Sequence, residues 1–156
     1  MFTPLAIATR ADTDDIVTLV ESAFRGEASR VGWTTEADLL DGRRTGPDEI
    51  EAILSDPKQR ILLQRHGNGG LRASVAVRQE EQRAWLGMLA VAPALQGSGT
   101  GSRVLQATER WVVEHWGARH MRMKVIAQRP ELIAWYERRG YRRTGEASPF
   151  YYGDER

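Results

Sequence analysis

The sequence has no cysteine. That excludes a disulfide scaffold, a thiolate metal site and a cysteine nucleophile at once. Lysine is nearly missing too: of 22 basic residues only Lys58 and Lys124 are lysines, a bias that genome composition produces as readily as function. The formal net charge is +1, so no overall field draws the chain to nucleic acid or to an anionic membrane. No stretch approaches the roughly 18 apolar residues of a spanning helix. The opening MFTPLAIATRADTDD lacks the basic start and the apolar length of a signal peptide. The expectation is therefore a cytoplasmic protein without a nucleic-acid or membrane partner. His66, His115 and His120 form no metal-ligand spacing, so solvated or structural histidines are expected and no metal.

What is present has the balance of an ordinary globular chain, 41% hydrophobic and 28% charged over 156 residues. That length suits a single domain, 1–156, with a proper core. Leu5 to Thr9 reads as a first strand, and Asp12 can cap a helix carrying Ile16, Leu19, Val20, Ala23 and Phe24 at helical spacing. The irregular stretch that follows holds Arg30, Trp33, Thr34, Thr35, Glu36 and Asp38 among four glycines. Pro47 opens a second helix with Ile50, Ile53 and Leu54, and Pro57 ends it. Arg60–Arg65 and Leu71–Gln79 read as strands around HGNGG. After the polar turn at 80–82, WLGMLAV is a buried strand. A helix with Val104, Thr108, Trp111, Val112 and His115 on one face runs to Gly117. Met121–Ile126 is a strand, Pro130 opens a helix that Gly140 ends, and Tyr141–Thr144 and Phe150–Tyr152 supply two short last strands. This order gives an α/β fold.

Between the apolar strand and the amphipathic helix lies LAVAPALQGSGTGSRVL, with Gly97, Gly99 and Gly101 alternating with small hydroxyl residues. A glycine-rich turn from strand to helix is either a plain turn or an anion site; the second reading rests on the unpaired first-turn N–H groups and the macrodipole, which face the same point. Two familiar phosphate motifs fail here. A P-loop needs Lys before Ser or Thr after its last glycine, and this chain has Ser102-Arg103. A dinucleotide fingerprint needs glycine where Ser102 stands and an acid further on, where the chain reads HMRMKV.

The pattern that does match is Q-x-x-G-x-G, as Gln96, Gly99 and Gly101 behind a strand ending LAV. It resembles the acetyl-CoA signature of the GCN5-related N-acetyltransferase (GNAT) superfamily. A second block, VIAQRPELIAWYERRGYRRTGE, is similar to that family's tyrosine-helix motif. The resemblance implies a GNAT-type fold, a mixed central sheet flanked by about four helices, and a homodimer is common among such proteins. It implies direct transfer of an acetyl group from acetyl-CoA to a primary amine. The backbone amides of Gln96, Gly97, Ser98, Gly99, Thr100, Gly101 and Ser102 would hold the diphosphate, and Leu89, Ala90 and Val91 the pantetheine arm. Tyr136 would protonate the departing thiolate, although an aromatic beside Trp135 is also an ordinary core residue.

Two positions depart from the family. Arg129 stands where many relatives have asparagine; it would contact the cofactor or pair with acidic neighbours. The strand WLGMLAV has no glutamate to act as base. Trp33, Thr35 and Glu36 are the acceptor-binding candidates, with Glu36 either a base or a first-turn acid beneath a threonine cap. Arg138, Arg139, Arg142 and Arg143 either help hold the 3′-phosphate or form a solvated basic surface. The reading is an N-acetyltransferase whose acceptor is a small molecule, favoured by the segment around Trp33; the alternatives are a protein acetyltransferase and a non-catalytic acyl-CoA-binding module.

Overall fold

The computed structural model describes residues 5–24, 46–66, 70–123 and 130–143. The chain forms two compact units, Met1–Met123 and Lys124–Arg156. In the first, β1 (Ala6–Ile7), β2 (Gln59–Arg65), β3 (Leu71–Glu80), β4 (Arg83–Val91) and β5 (His120–Arg122) lie side by side in sequence order. The first three pairings are antiparallel and the last, β4 with β5, is parallel. Helices α1 (Thr13–Phe24), α2 (Pro47–Ser55) and α3 (Thr100–Trp116) complete the unit. The second unit's described helix is α4 (Pro130–Glu137).

Central strands read as nearly continuous apolar runs because both faces are covered. Ile61, Leu63, Ala76 and Ala90 pack with Ile16, Leu19, Val20 and Ala23 of α1 and Ile50 of α2 in one buried cluster. Strand side chains alternate in direction. Leu62, Val75, Val77 and Leu86 therefore face the other way, where α3 packs on β3 and β4 with Val104, Leu105, Thr108 and Val112 buried. Each fully buried Ile or Leu contributes about 1.5–3 kcal/mol relative to exposure. An ion pair from Arg65 to Asp12, with Asp15 at 3.5 Å, ties the start of α1 to the end of β2.

Several local expectations are revised. The first strand shrinks to two residues, because Thr9 leaves it to begin a 3-10 turn at Arg10–Asp12. Asp12 accordingly sits before α1 inside that turn, its carboxylate accepting the Thr9 N–H at 2.8 Å. His115 lies off the buried face of α3; it is exposed and stacks on Trp111 with ring centroids 4.3 Å apart. Residues 141–143 form no strand, since Gly140 (φ 99°) turns the chain and Tyr141 N–H returns to the Tyr136 carbonyl at 3.2 Å. The strand expected at 150–152 lies outside the described residues.

Candidate functional site

The glycine loop is built outward from the end of β4. Ala92 N–H bonds the Arg72 carbonyl (2.9 Å), fixing the exit beside β3, and Pro93–Leu95 makes one 3-10 turn. The Gln96 side chain then reaches back, its amide donating to the Val91 carbonyl at 3.0 Å. Gly97 (φ 85°) and Gly99 (φ 89°) take left-handed conformations that other residues adopt at a cost of roughly 1–2 kcal/mol. Gly99 is the N-cap of α3. The first bond inside the helix is from Arg103 N–H to the Gly99 carbonyl (3.1 Å).

Two of the loop's amides are used internally. Gln96 N–H donates to Pro93 (3.3 Å) and Ser98 N–H to Leu95 (3.2 Å). The N–H groups of Gly97, Gly99, Thr100 and Gly101 have no acceptor among the described residues. Thr100 is buried, its hydroxyl 2.9 Å from that of Ser98, which pins the first turn. A side chain added at Gly97 would meet nothing within 4 Å, so the loop opens onto free space there. No acidic residue stands in the first turn of α3.

β4 itself is irregular. Its register on β3 slips between Ser74 and Ala76, so Met88 and Leu89 together oppose Val75 in a β-bulge. Met88 takes φ 53°, a strained value for a residue with a side chain. On its other edge β4 pairs with β5 only at Arg83, Ala84 and Trp85. Among the described residues, the backbone of Gly87 to Val91 has no strand partner on that edge.

In the second unit Tyr136 is buried, its ring 5.0 Å from Trp135 and 5.9 Å from Tyr141, both edge to face. Arg139 lies 3.9 Å over the Trp135 ring and donates to the Trp135 carbonyl (2.9 Å). Arg143 pairs with Glu137 at 3.2 Å.

The family model described as Acetyltransferase (GNAT) family matches residues 19–141. The chain belongs to this family. GNAT proteins are acetyltransferases, and the chain is accordingly an acetyl-CoA-dependent N-acetyltransferase. Its fold is that of GNAT structures. A spermidine N-acetyltransferase chimera from Vibrio cholerae superposes with TM-score 0.68 at 17% identity, over 92% of this chain and 82% of that one. A ribosomal-protein-alanine N-acetyltransferase from Brucella melitensis gives 0.69 at 13%, over 96% and 100%. An aminoglycoside acetyltransferase from an uncultured soil metagenomic sample, in complex with sisomicin, gives 0.68 at 13%, over 97% and 95%. No curated protein matches significantly.

The donor that the GNAT family uses fits this loop chemically. Four amides have no acceptor among the described residues, a cation, Arg103, stands beside Gly99, and no acidic residue stands in the first turn of α3 to oppose an anion. Leu89, Ala90 and Val91 lie at the end of β4, where no strand pairs with its β5-side edge among the described residues, and Gly97, Gly99, Thr100, Gly101 and Ser102 on the loop and the first turn. Trp33, Thr35, Glu36 and Arg129 lie outside the described residues.

Sequence reasoning did not find the group at the last rung of the β4–β5 ladder. Trp85 there has Arg78 at 5.5 Å and Arg122 at 5.3 Å from its ring centroid, and its indole N–H donates to Glu80 at 2.9 Å. That hydrogen bond is the main cause holding the Glu80 carboxyl below its ordinary pKa, with Arg83, Arg78 and Arg122 adding to it. Asp56 is likewise lowered, chiefly by the Gln59 amide and the Lys58 N–H. Two of the three histidines have local partners: His66 Nδ1 lies 3.3 Å from Arg72 Nη1, and His115 Nδ1 lies 3.0 Å from the Trp111 carbonyl. Among the described residues, no group of three or more His, Cys, Asp or Glu could hold a metal, and no helix is long and apolar enough to cross a membrane.

Proposed function

We propose that this GNAT protein transfers the acetyl group of acetyl-CoA directly to the primary amine of a small molecule. The observation that supports the reading is a strand edge, Gly87–Val91, with no strand partner among the described residues on that side, followed by an amide-lined loop. The donor supplies a thioester whose carbonyl carbon accepts the amine and whose sulfur leaves. The amides of Gly97, Gly99, Thr100, Gly101 and Ser102 bind the diphosphate. Leu89, Ala90 and Val91 orient the pantetheine arm through their main chain, and the bulge at Met88–Leu89 turns those groups toward the acyl end.

Tyr136 gives its phenolic proton, or a hydrogen bond, to the departing sulfur. Arg129 contacts the donor. Trp33, Thr35 and Glu36 receive the acceptor, Glu36 acting on its ammonium. β4 carries no carboxylate, so the amine loses its proton through water or to Glu36. A small acceptor agrees with the aromatic and polar composition of the segment around Trp33. Small amines are also acceptors for two of the three structural neighbours, by their names.

Calorimetric titration with acetyl-CoA, with NAD and ATP as controls, tests the donor. Micromolar binding of acetyl-CoA alone is expected, and no binding would sink the reading of the loop. For the acid, Tyr136→Phe is expected to lower turnover by about 10²-fold or more while donor affinity holds. An unchanged rate would return Tyr136 to the core.

A further inference from the structure

A helix disfavours a cation near its start, because the positive end of the macrodipole lies there. α3 nevertheless carries Arg103 four residues past its N-cap, Gly99. Helix side chains lean toward the N-terminus, so a long one at this position reaches back over the cap. Arg103 does so. Its Nη1 and Cζ lie 3.1 and 3.8 Å from the point that a Cβ on Gly99 would take, and the side chain is exposed. Glycine at 99 thus has a second use besides its φ of 89°: it gives the guanidinium a seat on the backbone itself. The bond from Arg103 N–H to the Gly99 carbonyl (3.1 Å) ties both residues to one turn. A full positive charge is therefore held against the loop, at the end of the helix where it is electrostatically least welcome.

We propose that Arg103 is the charged contact to the donor's diphosphate. This rests on the reading that the loop amides of Gly97, Gly99, Thr100, Gly101 and Ser102 hold that diphosphate. Amides and the helix end together offer only about half a unit of positive charge, whereas a diphosphate diester is a dianion. Arg103 supplies the missing charge, and its planar fork engages two phosphate oxygens at once. Because the side chain is long and exposed, it turns from Gly99 onto a phosphate without any movement of α3. The repulsion between guanidinium and helix end in the free protein is relieved once the anion lies between them.

Donor binding is measured by calorimetry with acetyl-CoA and with acetyl-dephospho-CoA, which keeps the diphosphate and lacks the 3′-phosphate. Arg103→Gln is expected to weaken both by about tenfold or more, the worth of a charge-assisted pair. Arg103→Lys should recover part of the loss. The Kd for acetyl-CoA should rise less steeply with NaCl in Arg103→Gln than in the wild type, since a screened charge contact has gone. Arg103→Glu separates binding from folding. It places an acid where the macrodipole favours one, so the urea midpoint should hold or rise while donor affinity falls furthest.

An unchanged affinity for acetyl-CoA in Arg103→Gln overturns the proposal. So does a loss seen with acetyl-CoA and absent with acetyl-dephospho-CoA, which would assign the arginine to the 3′-phosphate. A fall in urea midpoint that tracks the loss of affinity across the three variants also overturns it, because the side chain would then act through folding. Failure of acetyl-CoA to bind the wild-type protein is a different result and removes the reading of the loop instead.

Discussion

Gly99 shows how a single position can carry both fold and chemistry. Its φ of 89° caps α3, and a Cβ there would lie 3.1 Å from the Arg103 guanidinium. Gly99→Ala is expected to cost about 1–2 kcal/mol in urea unfolding and to raise KM for acetyl-CoA, because the strained loop misaims its amides. Glu80 makes a second prediction at this scale. Its folded carboxyl is held down mainly by the Trp85 indole, so the stabilisation exists above the ordinary glutamate pKa of about 4.3 and is lost as pH falls through the lower folded value. Urea midpoints measured from pH 6 downward should drop less steeply in Glu80→Gln than in the wild type. At the residue scale the sequence was most informative where backbone conformation demands glycine. It was silent on Met88, because there a side-chain-bearing residue takes the left-handed conformation inside an apolar run.

Among the elements, β4 is the one on which the proposed site depends. Its bulge places two residues against Val75, and removing one restores a regular ladder and turns Gly87 and its predecessors to opposite faces relative to Ala90. Deletion of Met88 is expected to leave a folded sheet by circular dichroism and to reduce acetyl transfer by about 10²-fold, the cost of misplacing groups by an ångström or more. Element identities were legible because periodicity, Pro47, Pro130 and Gly117 mark them plainly. The grouping of Arg78 with Trp85 was within reach as well. Counting outward from the two-residue turn at Glu81–Gln82 pairs Glu80 with Arg83 and then Arg78 with Trp85. Arg122 was not, since a parallel neighbour arrives through a helix and no local turn sets its register.

For the whole molecule, the sheet is unevenly fastened. β2 and β3 are long and buried on both faces through their middles, whereas β1 has two residues and β5 three. Amide exchange should be slowest at Ile61–Leu63 and Val75–Val77 and fast at Ala6–Ile7. Comparable protection at β1 would contradict this ordering. Such layering was only partly visible in the sequence, which predicted a longer first strand from Leu5 to Thr9 and could not see Thr9 being drawn into the 3-10 turn by Asp12. The amide-lined loop has a last consequence, for sequence drift. A ligand gripped by peptide groups asks almost nothing of the side chains around it, so substitutions there are close to invisible to selection as long as Gly97 and Gly99 keep their dihedrals. Saturation mutagenesis of 96–102 should find those two glycines intolerant and Ser98 tolerant chiefly of residues that keep its hydroxyl. A site that keeps its contacts in the main chain would let its sequence wander, and three structures that superpose on this fold share only 13–17% of its residues.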